Sequence, residues 1–204
     1  RMELLKSASI LFILLNPFLM SVYLISLIRE LSLREFFSVM ARAHLISAVA
    51  FILFAIAGDA IFEDVFRVRF ASFLIFGGIV FLMIGVRSVF SGKILLFETH
   101  GNPEHLAGAV AMPFMIAPGT LSASVLIGSV QPPGMASAAV GIAVLASFLS
   151  IMLFKWIHDP LQKRNERLLN RYVEICGRVV ALFTGTYATQ MIARGIEMLF
   201  ILRA

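Results

Sequence analysis

Residues 15–18 read Leu15-Asn16-Pro17-Phe18, and residues 112–120 read Met112-Pro113-Phe114-Met115-Ile116-Ala117-Pro118-Gly119-Thr120. Each stretch lies inside a long apolar run, about Ser7 to Ile28 for the first and about Leu106 to Val130 for the second. Proline removes a backbone donor and clashes with the preceding turn, at about 3 kcal/mol in a helix interior. Glycine after proline loosens the chain further. Both runs are therefore expected to be helices broken near the middle of a membrane. A broken helix exposes amide N–H groups at its new N-terminus and carbonyls at its new C-terminus. The N-terminal end carries about half a positive charge and can hold an anion without a basic side chain.

The surrounding composition supports the membrane reading. Of 204 residues 60% are hydrophobic and only 14% are charged, against about 25% charged in an ordinary soluble domain. A soluble chain of this length buries only about 70% of its unfolded surface, too little to hide so much apolar sequence. A soluble enzyme, a disordered chain and a disulfide-stapled secreted domain are excluded. Cys176 alone can form neither an intrachain disulfide nor a Cys-based metal site.

Four more apolar runs follow the same pattern, about Phe36 to Ala57, Phe70 to Phe90, Met135 to Ile157 and Val179 to Leu202. Each has about 20 residues or more, enough to cross roughly 30 Å of hydrocarbon. In lipid the backbone must satisfy its own hydrogen bonds, so the runs are read as helices. The fold expected is an all-α integral membrane protein with six transmembrane helices in a single membrane domain, 1–204. The first run is too long for a signal-peptide core and is read as a retained helix.

The chain carries 17 Lys and Arg against 12 Asp and Glu. On a soluble protein this excess would suggest nucleic acid; between apolar runs it is the positive-inside signal, and no nucleic-acid partner is expected. The first, third and fifth interspan segments hold eleven of the basic residues, dominated by Lys155 to Arg178. The opposite side holds five or six: Arg1, Lys6, Arg67, Arg69 and Arg203, with Arg194 near it. The crowded side is expected to be cytoplasmic, with both termini outside the cytoplasmic (inner) membrane.

The broken runs are the first and fourth of six, matching members of two three-helix halves of about 1–100 and 101–204. Odd-numbered halves have opposite topology. Interrupted spans at corresponding places are the best sequence pointer to a transporter binding site near the midplane. Gly77 and Gly85 recur as Gly177 and Gly185, and Pro17 pairs with Pro118. Proline kinks used only for packing stay open as an alternative.

Asn16, with a donor and an acceptor, and Gly119-Thr120 are the expected substrate cradle, set by Pro17, Pro113, Ala117 and Pro118. Hydroxyls of Ser21, Thr120, Ser122 and Ser124 are close enough in sequence to add directional bonds; bonding to their own helix carbonyls is the alternative. Arg42, just inside the second run, is a candidate gate residue or a snorkelling cation. His44 titrates near neutrality when unperturbed. With Gln190 and Glu197 it completes the gate or coupling candidates, although Arg194 and Glu197, three apart, also suit a simple ion pair. Asp59 and Glu197 are the only carboxylates near a span, so a deep proton relay has little support. Ala139, Ala143 and Ser147 recur every four residues, as in close helix packing. Gly101 to His105 reads as a loop, and Glu98, His100, Glu104 and His105 match no zinc spacing. Asp159 to Glu174 reads as an amphipathic surface helix or an extension of a span.

These segments, with Ala41-Arg42-Ala43, Phe76-Gly77-Gly78-Ile79, Ile84-Gly85, Gln190-Met191-Ile192 and Gly195, resemble the MarC family of six-span bacterial and archaeal inner-membrane proteins. That family includes the SnatA-type small neutral amino acid transporters. The resemblance implies transport of small neutral amino acids. The chain departs from the family pattern at Leu19, where relatives have glycine, and at Ala117 in place of the glycine of Gly-Pro-Gly. A bulkier first break narrows a shared cavity. The partners expected are a small-molecule substrate and the bilayer, with a homo-oligomer left open. No cofactor or metal is expected, and a coupling ion, sodium or a proton, stays open. Export of other small solutes, a channel and a structural membrane protein are the alternatives. A membrane enzyme would need paired acids, a His cluster or an activated nucleophile at one depth, and the sequence offers none.

Overall fold

The computed structural model describes residues 2–58, 60, 69–91, 103–164 and 166–201. Every regular element among them is a helix. In chain order these are α1 (Met2–Leu15), α2 (Pro17–Tyr23), α3 (Ile25–Glu30), α4 (Leu33–Ala57), α5 (Phe70–Ser91), α6 (Pro103–Val110), a π-helical turn (Ala111–Met115), α7 (Pro118–Val130), α8 (Pro133–Arg164) and α9 (Glu166–Ile201). Four stretches among the described residues are long and apolar enough to cross a membrane: Met2–Tyr23, Leu33–Ala57, Phe70–Arg87 and Pro133–Pro160. Pro118–Val130 is a shorter apolar helix.

The first run is broken where the sequence indicates. Asn16 sits in the left-handed region at φ 42, ψ 74, a conformation Asn tolerates because its short side chain bonds locally. Its Oδ1 accepts the Leu19 N–H at 3.1 Å, and Pro17 opens α2 at a position where its missing N–H costs nothing. A second irregularity, at Leu24 (φ −90, ψ 12), separates α2 from α3; no proline or glycine marks it.

The 112–120 stretch is interrupted over a longer segment than the Ala117-Pro118-Gly119 triplet alone. Met112 is extended at φ −119, ψ 129, as a residue before proline prefers. The Ile116 N–H then reaches back to the Ala111 carbonyl at 2.8 Å. Ala117 is extended too (φ −115, ψ 158), and α7 starts at Pro118. The expected loop at Gly101 to His105 is corrected in part: α6 begins at Pro103, with proline again at a helix start. Asp159 to Glu174 continues α8 and α9 as helix. Asp59, Glu98 and His100 lie outside the described residues, as do the side chains of Glu104, His105 and Cys176.

Ser32 caps α4 in a reciprocal box: its hydroxyl accepts the Glu35 N–H at 3.3 Å while the Glu35 carboxylate accepts the Ser32 N–H at 2.9 Å. The main core lies between α1, α3, α4, α6, α7 and α8, around Leu11, Leu27, Phe36, Phe51, Met115 and Ile151, all fully buried. α4 packs on α6, α7 and α8, while α8 packs on α1, α2, α3 and α4. α5 and α9 form a long close pair. There a Cβ on Gly85 would stand 3.0 Å from the Gly185 nitrogen and 3.2 Å from the Ala181 carbonyl. Without lipid-excluding hydrophobic force between helices, such backbone approach supplies the packing. The outward faces are apolar: Leu45 and Phe76 are each 67% exposed, a surface that suits lipid and not water.

Candidate functional site

Residues of both interruptions line one partly open cavity. A cavity of about 300 Å³ is lined by Leu15, Asn16 and Leu19 at the first break and by Ala117, Gly119 and Thr120 at the second. Met20, Tyr23, Phe81, Phe114, Phe183, Thr184 and Tyr187 complete the wall with Ile13 and Leu14. Its surface is mostly apolar, with few polar groups, as small-ligand pockets usually are.

Five lining residues carry polar side chains, Asn16, Tyr23, Thr120, Thr184 and Tyr187, and two helix ends add main-chain groups. The Asn16 N–H reaches back to the Phe12 carbonyl at 3.1 Å, but Pro17 has no N–H for the Ile13 carbonyl. The Leu19 N–H is bonded to the Asn16 side chain. The Ile13 carbonyl thus loses the donor a continuous helix would give it, and the last turn of α1 carries the negative end of a helix. Across the cavity, Gly119 and Thr120 carry the first amides of α7, whose first main-chain bond is Leu121 N–H to the Ala117 carbonyl at 2.9 Å. These are the positive end of a helix. The cavity is therefore bordered by helix ends of opposite sign, with no charged side chain among its described lining residues.

Thr120 stitches the second break. Its hydroxyl lies 2.7 Å from the Met115 carbonyl and 2.8 Å from that of Ala117, and accepts the Ala117 N–H at 3.0 Å. Gly77 of α5 lies so close to Pro118 that a Cβ there would collide with the proline ring. Tyr23 and Thr184 are hydrogen bonded through their hydroxyls in a buried contact. Phe114 leans on the Tyr23 ring at a centroid distance of 4.9 Å, and all three residues belong to the cavity wall.

A larger cavity of about 550 Å³ adjoins it. It shares Leu14, Gly119 and Tyr187 with the first and runs past Ser122, Gln190 and Arg194 to Ile10, Ser129 and Met198. Along α9 the lining descends from Met198 through Arg194, Gln190 and Tyr187 to Thr184, roughly 20 Å at 1.5 Å per residue. The partition between the cavities is narrow, since a Cβ on Gly119 would run into the Tyr187 hydroxyl and stand 3.2 Å from its Cζ.

The candidates from sequence are distributed as follows. Asn16, Ala117, Gly119 and Thr120 meet in the inner cavity, with Pro17 and Pro118 setting their helix starts. Pro113 sits in the π turn behind them. Ser122 and Gln190 line the outer cavity. Ser21 donates to its own helix at Phe18 O, 2.6 Å, and Ser124 to Thr120 O, 2.9 Å, the bonding alternative the sequence left open. Arg42 is exposed on α4. His44 is buried between α4 and α8, its Nδ1 2.8 Å from Met40 O and its Nε2 3.4 Å from Ser147 Oγ. Glu197 is exposed, and neither it, Arg42 nor His44 lines either cavity. Tyr23, Thr184 and Tyr187 were not singled out. Their signal is faint: hydroxyl residues at 184 and 187, one helical turn apart in a long run.

Apolar spans with apolar outward surfaces, and a small cavity between two interrupted helices, define a multi-pass helical membrane protein. Residues 2–200 match the MarC family, described as MarC family integral membrane proteins. The chain belongs to that family. It is also 26% identical over 199 residues to UPF0056 membrane protein PH0214 of Pyrococcus horikoshii, across 95% of this chain and 93% of that one. No solved structure matches it significantly.

Proposed function

We propose that this protein is a secondary transporter of small neutral amino acids, working by alternating access around the inner cavity. The observation that carries the reading is that the C-terminal end of α1 and the N-terminal end of α7 both line one cavity of about 300 Å³. A zwitterion fits such a pair: its ammonium is held by carbonyls and its carboxylate by amides. The apolar remainder of the wall suits a short uncharged side chain. The Asn16 Nδ2 group adds a donor beside the break.

The architecture we infer has six spans in two inverted halves, with α6 to α7 as the fourth and α9 as the sixth. Contacts that recur when each partner is exchanged for the residue 100 positions away, in the other half, support this. The Ala55 carbonyl faces Gly128, and the residues 100 away, Lys155 and Ile28, meet through Lys155 Nζ and the Ile28 carbonyl at 2.6 Å. Gly85 touches Gly185, its own counterpart, as equivalent residues do only at a two-fold axis. The expected orientation puts the larger cavity outside and the Tyr23–Thr184 contact toward the cytoplasm. A channel would need a continuous path; the Tyr23–Thr184 contact and the close approach of Gly119 to Tyr187 narrow it and favour a carrier. The coupling ion, sodium or a proton, is left to experiment.

Uptake into proteoliposomes, with a panel of amino acids and with and without sodium and proton gradients, tests this. Saturable uptake or counterflow of glycine, alanine or serine is expected. Absence of both for every small neutral amino acid overturns the substrate class.

A further inference from the structure

At the end of the bundle away from the larger cavity, α3 stops against α8. The Lys155 ammonium is buried there and spends its donors on the Ile28 carbonyl at 2.6 Å, the Leu31 carbonyl at 2.8 Å and Asp159 Oδ1 at 2.9 Å. An ammonium has three donors, so Lys155 is satisfied: it caps the C-terminus of α3 and uses the charge of Asp159 in doing so.

Arg29, beside it on α3, is not satisfied. Its Nε and Nη2 are enclosed, with no hydrogen-bond partner, and among the described residues no carboxylate is paired with it. These two nitrogens form one edge of the guanidinium, the edge that grips an oxyanion with two parallel hydrogen bonds. His158 is 97% buried on α8, and both its ring nitrogens also lack a partner. The Asp159 oxygen nearest to it, 3.9 Å from Nδ1, is beyond hydrogen-bond range. Arg29 lies within electrostatic reach of that ring.

A half-buried guanidinium with two enclosed, empty donors is costly unless an anion completes it. We propose that Arg29 and His158 hold a phosphate group. Two of its oxygens lie along the Nε–Nη2 edge and a third accepts from the imidazole N–H. The phosphate balances the guanidinium, as Asp159 balances Lys155. His158 is two residues from the end of the apolar stretch Pro133–Pro160. That is headgroup depth, where the phosphodiester of an anionic phospholipid is the available source; free inorganic phosphate offers the same chemistry.

The purified full chain, in nanodiscs of phosphatidylcholine with increasing phosphatidylglycerol, is scored by melting temperature and by lipid retained in native mass spectrometry. Parallel samples in pure phosphatidylcholine receive inorganic phosphate. Phosphatidylglycerol should raise the melting temperature and be retained. Arg29→Gln should weaken that retention about a hundredfold, as loss of two charge-assisted bonds implies, and His158→Gln by less. Arg34→Gln removes one exposed charge nearby and should leave retention within about twofold. Stabilisation by inorganic phosphate alone, lost in Arg29→Gln, assigns the same site to a soluble source. The site is refuted if neither probe acts on the wild-type chain, or if Arg34→Gln weakens retention as much as Arg29→Gln. Should Arg29→Gln fail to fold, His158→Gln carries the comparison, and unchanged retention in it refutes the site. None of these outcomes depends on transport.

Discussion

In a Gly119→Ala variant the new Cβ runs into the Tyr187 phenol, against the hydroxyl and 3.2 Å from Cζ, where carbon atoms settle at about 3.5–4.0 Å. The main chain at 119 is helical and accepts alanine, so the amide that would meet a carboxylate stays in place. The phenol must give way. It is about half exposed, toward the larger cavity, so the cost should sit near the lower end of the ~1–3 kcal/mol typical of overpacking. That corresponds to a fall of about 2–4 °C in melting temperature. Both cavities share Gly119, Tyr187 and Leu14, so a methyl here narrows the passage itself. If the same ~1–3 kcal/mol falls on the transport barrier, alanine uptake slows roughly 5- to 150-fold. The second half of the test is Tyr187→Phe, which removes the oxygen that collides. Combined with Gly119→Ala it should recover most of the lost uptake, a coupling of the kind double-mutant cycles resolve. Initial uptake rates in proteoliposomes, with thermal melts of the same preparations, read both effects. Wild-type uptake in Gly119→Ala, or a double variant no faster than the single one, would refute the partition.

Other substitutions probe separate parts of the account. Asn16→Ala removes the cap on Leu19 and places alanine in the left-handed region; it should cost about 1–3 kcal/mol and abolish alanine binding, read by melting temperature and equilibrium binding, while Asn16→Gly should lose binding with less destabilisation. Tyr23→Phe breaks the hydroxyl pair with Thr184; at about 1 kcal/mol it should leave the fold intact and raise passive alanine leak in preloaded vesicles. Gly85→Leu forces α5 off the Gly185 and Ala181 backbone and should lower the melting temperature more than Gly119→Ala does, because backbone cannot swing aside.

The two breaks were legible because proline acts locally. Pro17 and Pro118 end one helix and start another whatever surrounds them, and Asn16 is among the few residues that tolerate the backbone between. That residues of both breaks line one cavity depends on how α1 and α7 pack, which no local signal carries. The extended Met112 could have been read from Pro113, yet the π turn beside it depends on how α7 is held by the rest of the bundle. Leu24 was illegible because no local chemistry marks the kink. Tyr23, Thr184 and Tyr187 escaped notice for a related reason: α9 has hydroxyls on several faces, with Thr186 and Thr189 exposed, and only packing on α5 decides which face turns inward. Lys155 was counted as a cytoplasmic charge, since composition cannot reveal that it reaches back to cap α3.

Binding of alanine, alaninamide and propionate to the purified chain is the most direct test of the paired helix ends. Alanine offers both an ammonium and a carboxylate, alaninamide lacks the anion and propionate lacks the cation. Alanine alone should raise the melting temperature, by an amount that grows with its concentration as ligand linkage requires. Equal shifts with all three compounds, or none with alanine at concentrations far above those that saturate uptake, would contradict the reading of the cavity as a zwitterion site.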